Sequence, residues 1–133
     1  VEIGDLVFLE TDDARPASSQ ADQGTEAANQ ELFHDKFAGV AMQASRNGDT
    51  QPIRVATAGV FEFDCLSGTF EVGKLIGADE NTAGTLLERQ VVTPVATPNL
   101  AVGRCAKRVS PAATRVLVDV VSTMQRGGPQ DMA

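Results

Sequence analysis

The chain has 133 residues, of which 42% are hydrophobic and 22% are charged, as in a typical single folded domain. Its net charge of −7 argues against an electrostatic grip on nucleic acid or on an anionic membrane surface. The sequence shows neither a signal peptide nor a run of about eighteen apolar residues, so we expect a soluble intracellular protein.

The first half of the chain predicts short strands interrupted by a long polar segment. Residues 6–9 form an apolar run that predicts a strand. Residues 11–36 are rich in Ala, Ser, Gln and Asp and predict a long surface loop, with one short helix around residues 26–36 that Thr25 could cap. Because loops of this length are commonly functional, we expect partner contacts in this segment.

The remaining elements are predicted from alternating apolar residues and turn signals. The last strand is the clearest, since Val116, Val118 and Val120 would lie on one face. Predicted strands cover residues 37–45, 53–57, 60–63, 71–76, 87–96, 100–109 and 115–123; turns are predicted at residues 47–49 and 110–114, and a flexible tail at residues 123–133.

The two halves of the chain resemble each other in the same order. Residues 2–7 (EIGDLV) match residues 71–76 (EVGKLI), Gly39 matches Gly103, and residues 53–55 match residues 116–118. Offsets that drift by only a few residues are typical of an internal duplication. We therefore predict an all-β fold, a small antiparallel barrel or sandwich. Its single domain would span residues 1–122, with pseudo-repeats at about residues 2–63 and 71–122.

No group of residues predicts a catalytic, cofactor-binding or metal site. His34 is the single histidine and lacks the further ligands of a metal site, so we interpret it as solvated or locally hydrogen-bonded, pointing away from Asp35. Cys65 and Cys105 lie in apolar stretches, which favours buried free thiols, although a disulfide or a catalytic or metal-binding role remains open. The basic residues are interpreted as a solvated strand face: Arg104, Lys107, Arg108 and Arg115.

A family resemblance carries the functional hypothesis. The phrases GDLVFL, FAGVAMQASRNGDTQPIRVATAGVFEFDC, VGKLI and LAVGRCAKRVSPAATRVLVDV follow one another in the order seen in capsid cement (decoration) proteins of tailed bacteriophages. The chain resembles this family over most of residues 2–122.

The resemblance implies a non-enzymatic structural protein without cofactors. Such a protein would be made in the host cytoplasm and then bind, as a homotrimer, to the outside of an icosahedral shell where subunits of the major capsid protein meet. We expect residues 11–36 and the two termini to contact the shell and neighbouring copies. One alternative is a β-barrel ligand-binding or accessory domain of a larger assembly. Another is a hydrolase or metalloprotein that uses His34 with Cys65 or Cys105.

Overall fold

A computed structural model describes residues 1–11, 13–46 and 48–126 of the chain. Strands dominate this part of the chain, which confirms the all-β prediction, and the helix predicted around residues 26–36 is present. The elements are β1 (Leu6–Glu10), β2 (Asp13–Pro16), α1 (Glu26–Lys36), β3 (Phe37–Ala41), β4 (Val55–Ala56), β5 (Ala58–Phe70), β6 (Leu75–Glu80), β7 (Leu87–Pro94), β8 (Gly103–Cys105), β9 (Val109–Val121) and α2 (Thr123–Arg126), with 3-10 turns at Ala17–Ser19 and Pro98–Leu100.

The strands form one open sheet and one closed barrel. The open sheet has the order β2-β1-β3-β4, and all its neighbouring pairs are antiparallel. The barrel has the order β5-β7-β6-β8-β9 and closes through the antiparallel pairing of β5 with β9. The pairing of β5 with β7 is parallel, in an otherwise antiparallel barrel.

The matching phrases at residues 2–7 and 71–76 build the same turn. The amide of Asp5 donates to the Glu2 carbonyl at 3.1 Å, and the amide of Lys74 donates to the Glu71 carbonyl at 3.1 Å. The glycine within each turn has a positive φ, 94° at Gly4 and 89° at the second copy's glycine. This backbone region is costly for other residues, which explains why glycine recurs there.

Beyond the turn, the two halves share strand order and register. Val7 pairs with Gly39 in the first half, just as Ile76 pairs with Gly103 in the second. On the other side of the same strands, Val7 pairs with Pro16 and Ile76 with Pro94. Strands β2-β1-β3-β4 therefore correspond to β7-β6-β8-β9. We call these sets the first unit and the second unit; β5 belongs to neither and closes the second.

The main core lies inside the barrel and continues beneath α1. Val116, Val118 and Val120 of β9 are buried there, as the alternation predicted. From the side of the open sheet, Leu6 and Phe8 join the same cluster together with Phe33 and Phe37. Because a small barrel has an interior just wide enough for side chains, this core fills it.

Several local predictions differ from the structure, among them one turn, the long loop and the tail. The predicted turn at residues 110–114 lies inside β9, because β5 extends to Phe70 and pairs with β9 within and beyond this stretch, Gly68 with Ala113 and Phe70 with Val109, although the register shifts there. The predicted loop at residues 11–36 contains β2 and a 3-10 turn with Ala17 buried, so this segment is partly folded onto the core. In the predicted flexible tail, Thr123–Arg126 forms α2, and residues 127–133 lie outside the described residues.

Candidate interaction surfaces

Polar side chains cap helix α1 and attach it to the barrel. The Thr25 hydroxyl caps the helix by accepting from the amide of Ala28 at 3.1 Å. The Gln30 side-chain amide donates to the carbonyl of Ala78 on β6 at 2.8 Å. Each of these bonds satisfies a backbone group or a helix end, so this face of α1 is structural.

His34 is a buried residue of α1. It is neither solvated nor hydrogen-bonded locally, so both predicted states are wrong; its partner lies 67 residues away. Its Nδ1 lies 2.8 Å from the carbonyl oxygen of Ala101, which can only accept, so Nδ1 carries the proton. Asp35 is exposed, so the two side chains do point apart as predicted. This hydrogen bond connects α1 to the segment before β8.

Cys65 and Cys105 are both buried free thiols. Cys65 lies on the inward face of β5, where burial and then the neighbouring Asp64 raise the pKa of the thiol. A raised pKa keeps a thiol protonated and poorly nucleophilic. Among the described residues, no three His, Cys, Asp or Glu side chains form a group that could hold a metal ion.

The basic side chains near β8 and β9 are exposed, as predicted for a solvated strand face. Arg115 forms ion pairs with Glu62 at 2.9 Å and with Asp64 at 3.3 Å across the β5–β9 pair. Arg108 forms an ion pair with Glu71 at 3.2 Å. These surface pairs contribute little to stability, but they balance the local charge.

Carboxylates cluster where the N-terminus of α1 meets β6. Burial raises the pKa of Glu26, and the charges of Asp79 and Glu80 raise it further. Burial also raises the pKa of Glu80, with added effects from Asp22 and Asp79. One carboxylate oxygen of Glu80, Oε2, is buried without a hydrogen-bond partner among the described residues. Full ionisation of the cluster is therefore unfavourable in the folded state.

A surface groove of about 330 Å³ separates β1 and β2 from α1. Phe8 and Leu32 supply its apolar lining, and Glu10, Arg15 and Lys36 supply its charges. The preceding residues 21–27 are exposed throughout. The exposed stretch and most residues of the groove belong to the 11–36 segment, for which the sequence predicted partner contacts.

Several large apolar side chains are exposed on the rest of the surface. Leu66 on β5 is 77% exposed, and Ile3 and Val72 are 64% and 66% exposed. Ile3 and Val72 occupy equivalent positions in the two repeated turns, so the repeat places an aliphatic side chain at each turn. Folding does not require this exposure, which makes these positions candidates for contacts.

The outer face of the open sheet carries a second apolar cluster. Val7 and Ala41 are fully buried in it, whereas Leu9, Ile53 and Val55 are only partly buried. The strands at the two sides of this sheet, β2 and β4, each pair with one neighbour in the described chain. A partly covered apolar face between two unpaired strand edges can bind a further strand.

Comparison with known families identifies the chain. The family model described as phage cement protein matches residues 2–120, nearly the whole of the described β structure. The chain belongs to the phage cement protein family. No match was found among curated proteins or among solved structures. Membership in this family supports a cement role in a phage capsid. It thus implies that the protein is a structural component of the virion.

Sequence reasoning did not locate the second apolar cluster of this cement protein. The residues of this cluster read as ordinary strand residues in the sequence. The sequence also does not show that β5 closes only the second unit. Among the described residues, no helix is long and apolar enough to span a membrane.

Proposed function

We propose that this cement protein binds the outer surface of a phage shell at contacts between major capsid subunits and stabilises the shell as a homotrimer. The family match over residues 2–120 carries this proposal. The structure is suited to the role, because a closed barrel with a continuous core provides a rigid body, while exposed apolar side chains remain at its surface.

We place the shell contacts on the 11–36 segment and near the two termini. The groove beside α1 supports this placement, as does the exposed aliphatic side chain of Ile3 near the N-terminus. Met124 in α2 is 49% exposed and adds an apolar side chain near the other end of the chain. Several modest contacts of this kind gain strength when three copies bind together.

The barrel favours this role over the alternative of a ligand-binding domain. Phe63, Ile76 and Val118 are buried inside the barrel, which is packed with the chain's own side chains. A ligand-binding barrel needs an interior cavity with a few converging polar groups. The groove of about 330 Å³ beside α1 lies at the surface, as does a smaller one of about 190 Å³ lined by Glu62, Gln90 and Arg115.

Reconstitution on shells tests the proposal. Shells of the encoding phage that lack this protein are mixed with purified chain and sedimented, and the bound amount is measured against the major capsid protein. We expect saturation at a fixed ratio and a higher temperature of shell disruption. If the chain stays in the supernatant at all concentrations, the proposed function is wrong.

Lysine cross-linking tests the placement of the contact. Lys36 lies on the 11–36 segment, whereas Lys74 and Lys107 lie at the repeated turn of the second unit and beside β8. On saturated shells we expect cross-links to the capsid protein from Lys36 and from the amino group of Val1. Cross-links from Lys74 and Lys107 instead would move the contact to another face of the barrel.

A further inference from the structure

The repeated turn of the second unit carries a concentration of positive charge. Four exposed basic side chains cluster around residues 71–74, and we call them the basic end: Lys74, Arg104, Lys107 and Arg108. Arg104 donates to the carbonyl of Gly73 at 3.0 Å, which holds its side chain against the turn. Among the described residues, Glu71 is the one carboxylate that forms an ion pair with this group, through Arg108. The basic end is therefore an excess of positive charge on a chain whose net charge is −7.

The opposite end of β6 carries the complementary charge. Four carboxylates interact with one another there, and we call them the acidic end: Asp22, Glu26, Asp79 and Glu80. Within the described chain, none of the four forms an ion pair with a lysine or an arginine. Their mutual repulsion is therefore not offset by a cation of the same chain.

The two ends cannot neutralise each other within one molecule. Lys74 precedes β6 and Glu80 is its last residue, and a strand rises about 3.3 Å per residue, so roughly 15–20 Å separate the two ends. Exposed charges are largely screened from each other beyond about 8 Å at physiological ionic strength. The barrel is thus electrically polar along β6, and its opposite charges can meet only between molecules.

We propose that the basic end of one copy binds the acidic end of a neighbouring copy of this chain on the shell. Two different surfaces meet in such a head-to-tail contact, which forms a closed ring when the rotation between neighbours closes. A ring of three copies is one such closed form and agrees with the proposed homotrimer. This inference rests on the proposed function, because it identifies how neighbouring cement copies associate.

Both ends also carry an exposed aliphatic side chain. Val72 is 66% exposed within the turn of the basic end. Leu86 is 37% exposed, and its carbonyl accepts from the amide of Asn81 at 2.8 Å, which places it next to Glu80 at the acidic end. Protein interfaces commonly have an apolar centre and a polar rim, so these side chains suit the centre of the contact. The surrounding charges would set its orientation.

The repeated turn of the first unit matches the basic end less well. Its carboxylates are Glu2 and Asp5, and Arg89 already lies 3.2 Å from the first and 3.7 Å from the second. Asp5 is also fully buried. The acidic end has no such cation, and its exposed Glu26 belongs to the 11–36 segment, where contacts with neighbouring copies are expected.

Zero-length cross-linking on saturated shells tests the contact. A carbodiimide joins a lysine amine to a carboxylate only where the two groups touch. A mixture of isotope-labelled and unlabelled chain distinguishes links between copies from links within one copy. We expect links between copies that join the lysines of the basic end, Lys74 and Lys107, to carboxylates of the acidic end. Links from these lysines to the capsid protein instead would assign the basic end to the shell and overturn the inference.

A double-mutant cycle gives a second readout. Lys107→Glu and Glu26→Lys each reverse one exposed charge that forms no ion pair within the described chain, so we expect unchanged melting temperatures. Each should weaken shell binding about five-fold, because attraction between neighbouring copies falls. In the double variant the reversed charges face each other, so the combined loss should be clearly smaller than the product of the single losses. Arg46→Glu reverses a charge at an exposed residue between β3 and β4 and should bind as the original chain does.

The outcomes separate the inference from the function on which it rests. If the original chain saturates shells without links between the two ends, and the two reversals combine without recovery, the inference is wrong and the proposed function stands. If the original chain does not bind shells, the proposed function fails and the inference falls with it. Links between the two ends, together with recovery in the double variant, support both.

Discussion

Gly103 provides the sharpest test of the shared register of the two units. A Cβ at this position would lie 2.2 Å from the carbonyl oxygen of Asp119 and 2.9 Å from the Cα of Val120, both backbone atoms of β9. At the equivalent position in the first unit, a Cβ on Gly39 would lie 2.0 Å from the Ala56 carbonyl oxygen. The glycine is therefore repeated because β3 and β8 approach their neighbours too closely for any side chain.

Gly103→Ala should destabilise the protein strongly. Strand β9 cannot move away from β8, because β5 holds it on its other side through the pairs Gly59–Val120 and Val60–Asp119. Overpacking costs about 1–3 kcal/mol, and each backbone hydrogen bond lost on displacement costs about 1 kcal/mol more. We expect the free energy of unfolding to fall by roughly 3–5 kcal/mol, which lowers the melting temperature by roughly 10–20 °C.

Thermal unfolding followed by circular dichroism measures the effect, with Gly68→Ala as the matched control. A Cβ on Gly68 would meet only the Leu66 carbonyl oxygen at 3.7 Å and Phe70 Cε2 at 3.9 Å, which are ordinary contacts. Removing this glycine should leave stability unchanged or raise it by about 0.5 kcal/mol. If the two variants melt within about 3 °C of each other, the close pairing of β8 with β9 is wrong.

Two further predictions concern buried and clustered polar groups. Burial and acidic neighbours raise the pKa of Glu80, so this carboxyl group binds a proton more readily in the folded than in the unfolded protein. The stability of the protein therefore falls as the pH rises from about 4 through the raised pKa. Asp22 opposes this trend, since hydrogen bonds lower its pKa. Glu80→Gln should raise the melting temperature by ~2 °C at pH 7 and leave it unchanged near pH 4; an equal shift at both pH values would contradict the electrostatic cause. His34→Ala leaves a cavity and an unpaired buried carbonyl, so chemical denaturation should show a loss of about 2–4 kcal/mol, against less than about 0.5 kcal/mol for the exposed Asp35→Ala. Equal stability of these two variants would contradict the hydrogen bond between His34 and the Ala101 carbonyl.

Local sequence patterns predicted the strand in which buried and exposed residues alternate, and the capped helix. Val116, Val118 and Val120 were placed on one face from spacing alone, and the capped helix α1 followed from Thr25 and the apolar residues after it. The family was also accessible, because the phrases that carry it are contiguous in sequence. These features depend on residues within one or two turns of each other, so the chain alone encodes them.

Pairings between distant residues were accessible only where the sequence repeats itself. The match of Gly39 with Gly103 pointed to equivalent strands, and the structure shows the backbone approach that requires both glycines. The turn predicted at residues 110–114 failed for the opposite reason. Ser and Pro favour a turn locally, but pairing with β5 outweighs that preference at an exposed strand.

The sequence by itself determined the strand-rich fold class, the repeated turn and strand units, and the family. Only the tertiary structure decided which unit receives β5 as its closing strand. Among the described residues, no strand closes the first unit, and Leu9 and Val55 are only partly buried there. The physical reason is that strand closure depends on hydrogen bonds between residues far apart in the chain, which local composition does not specify.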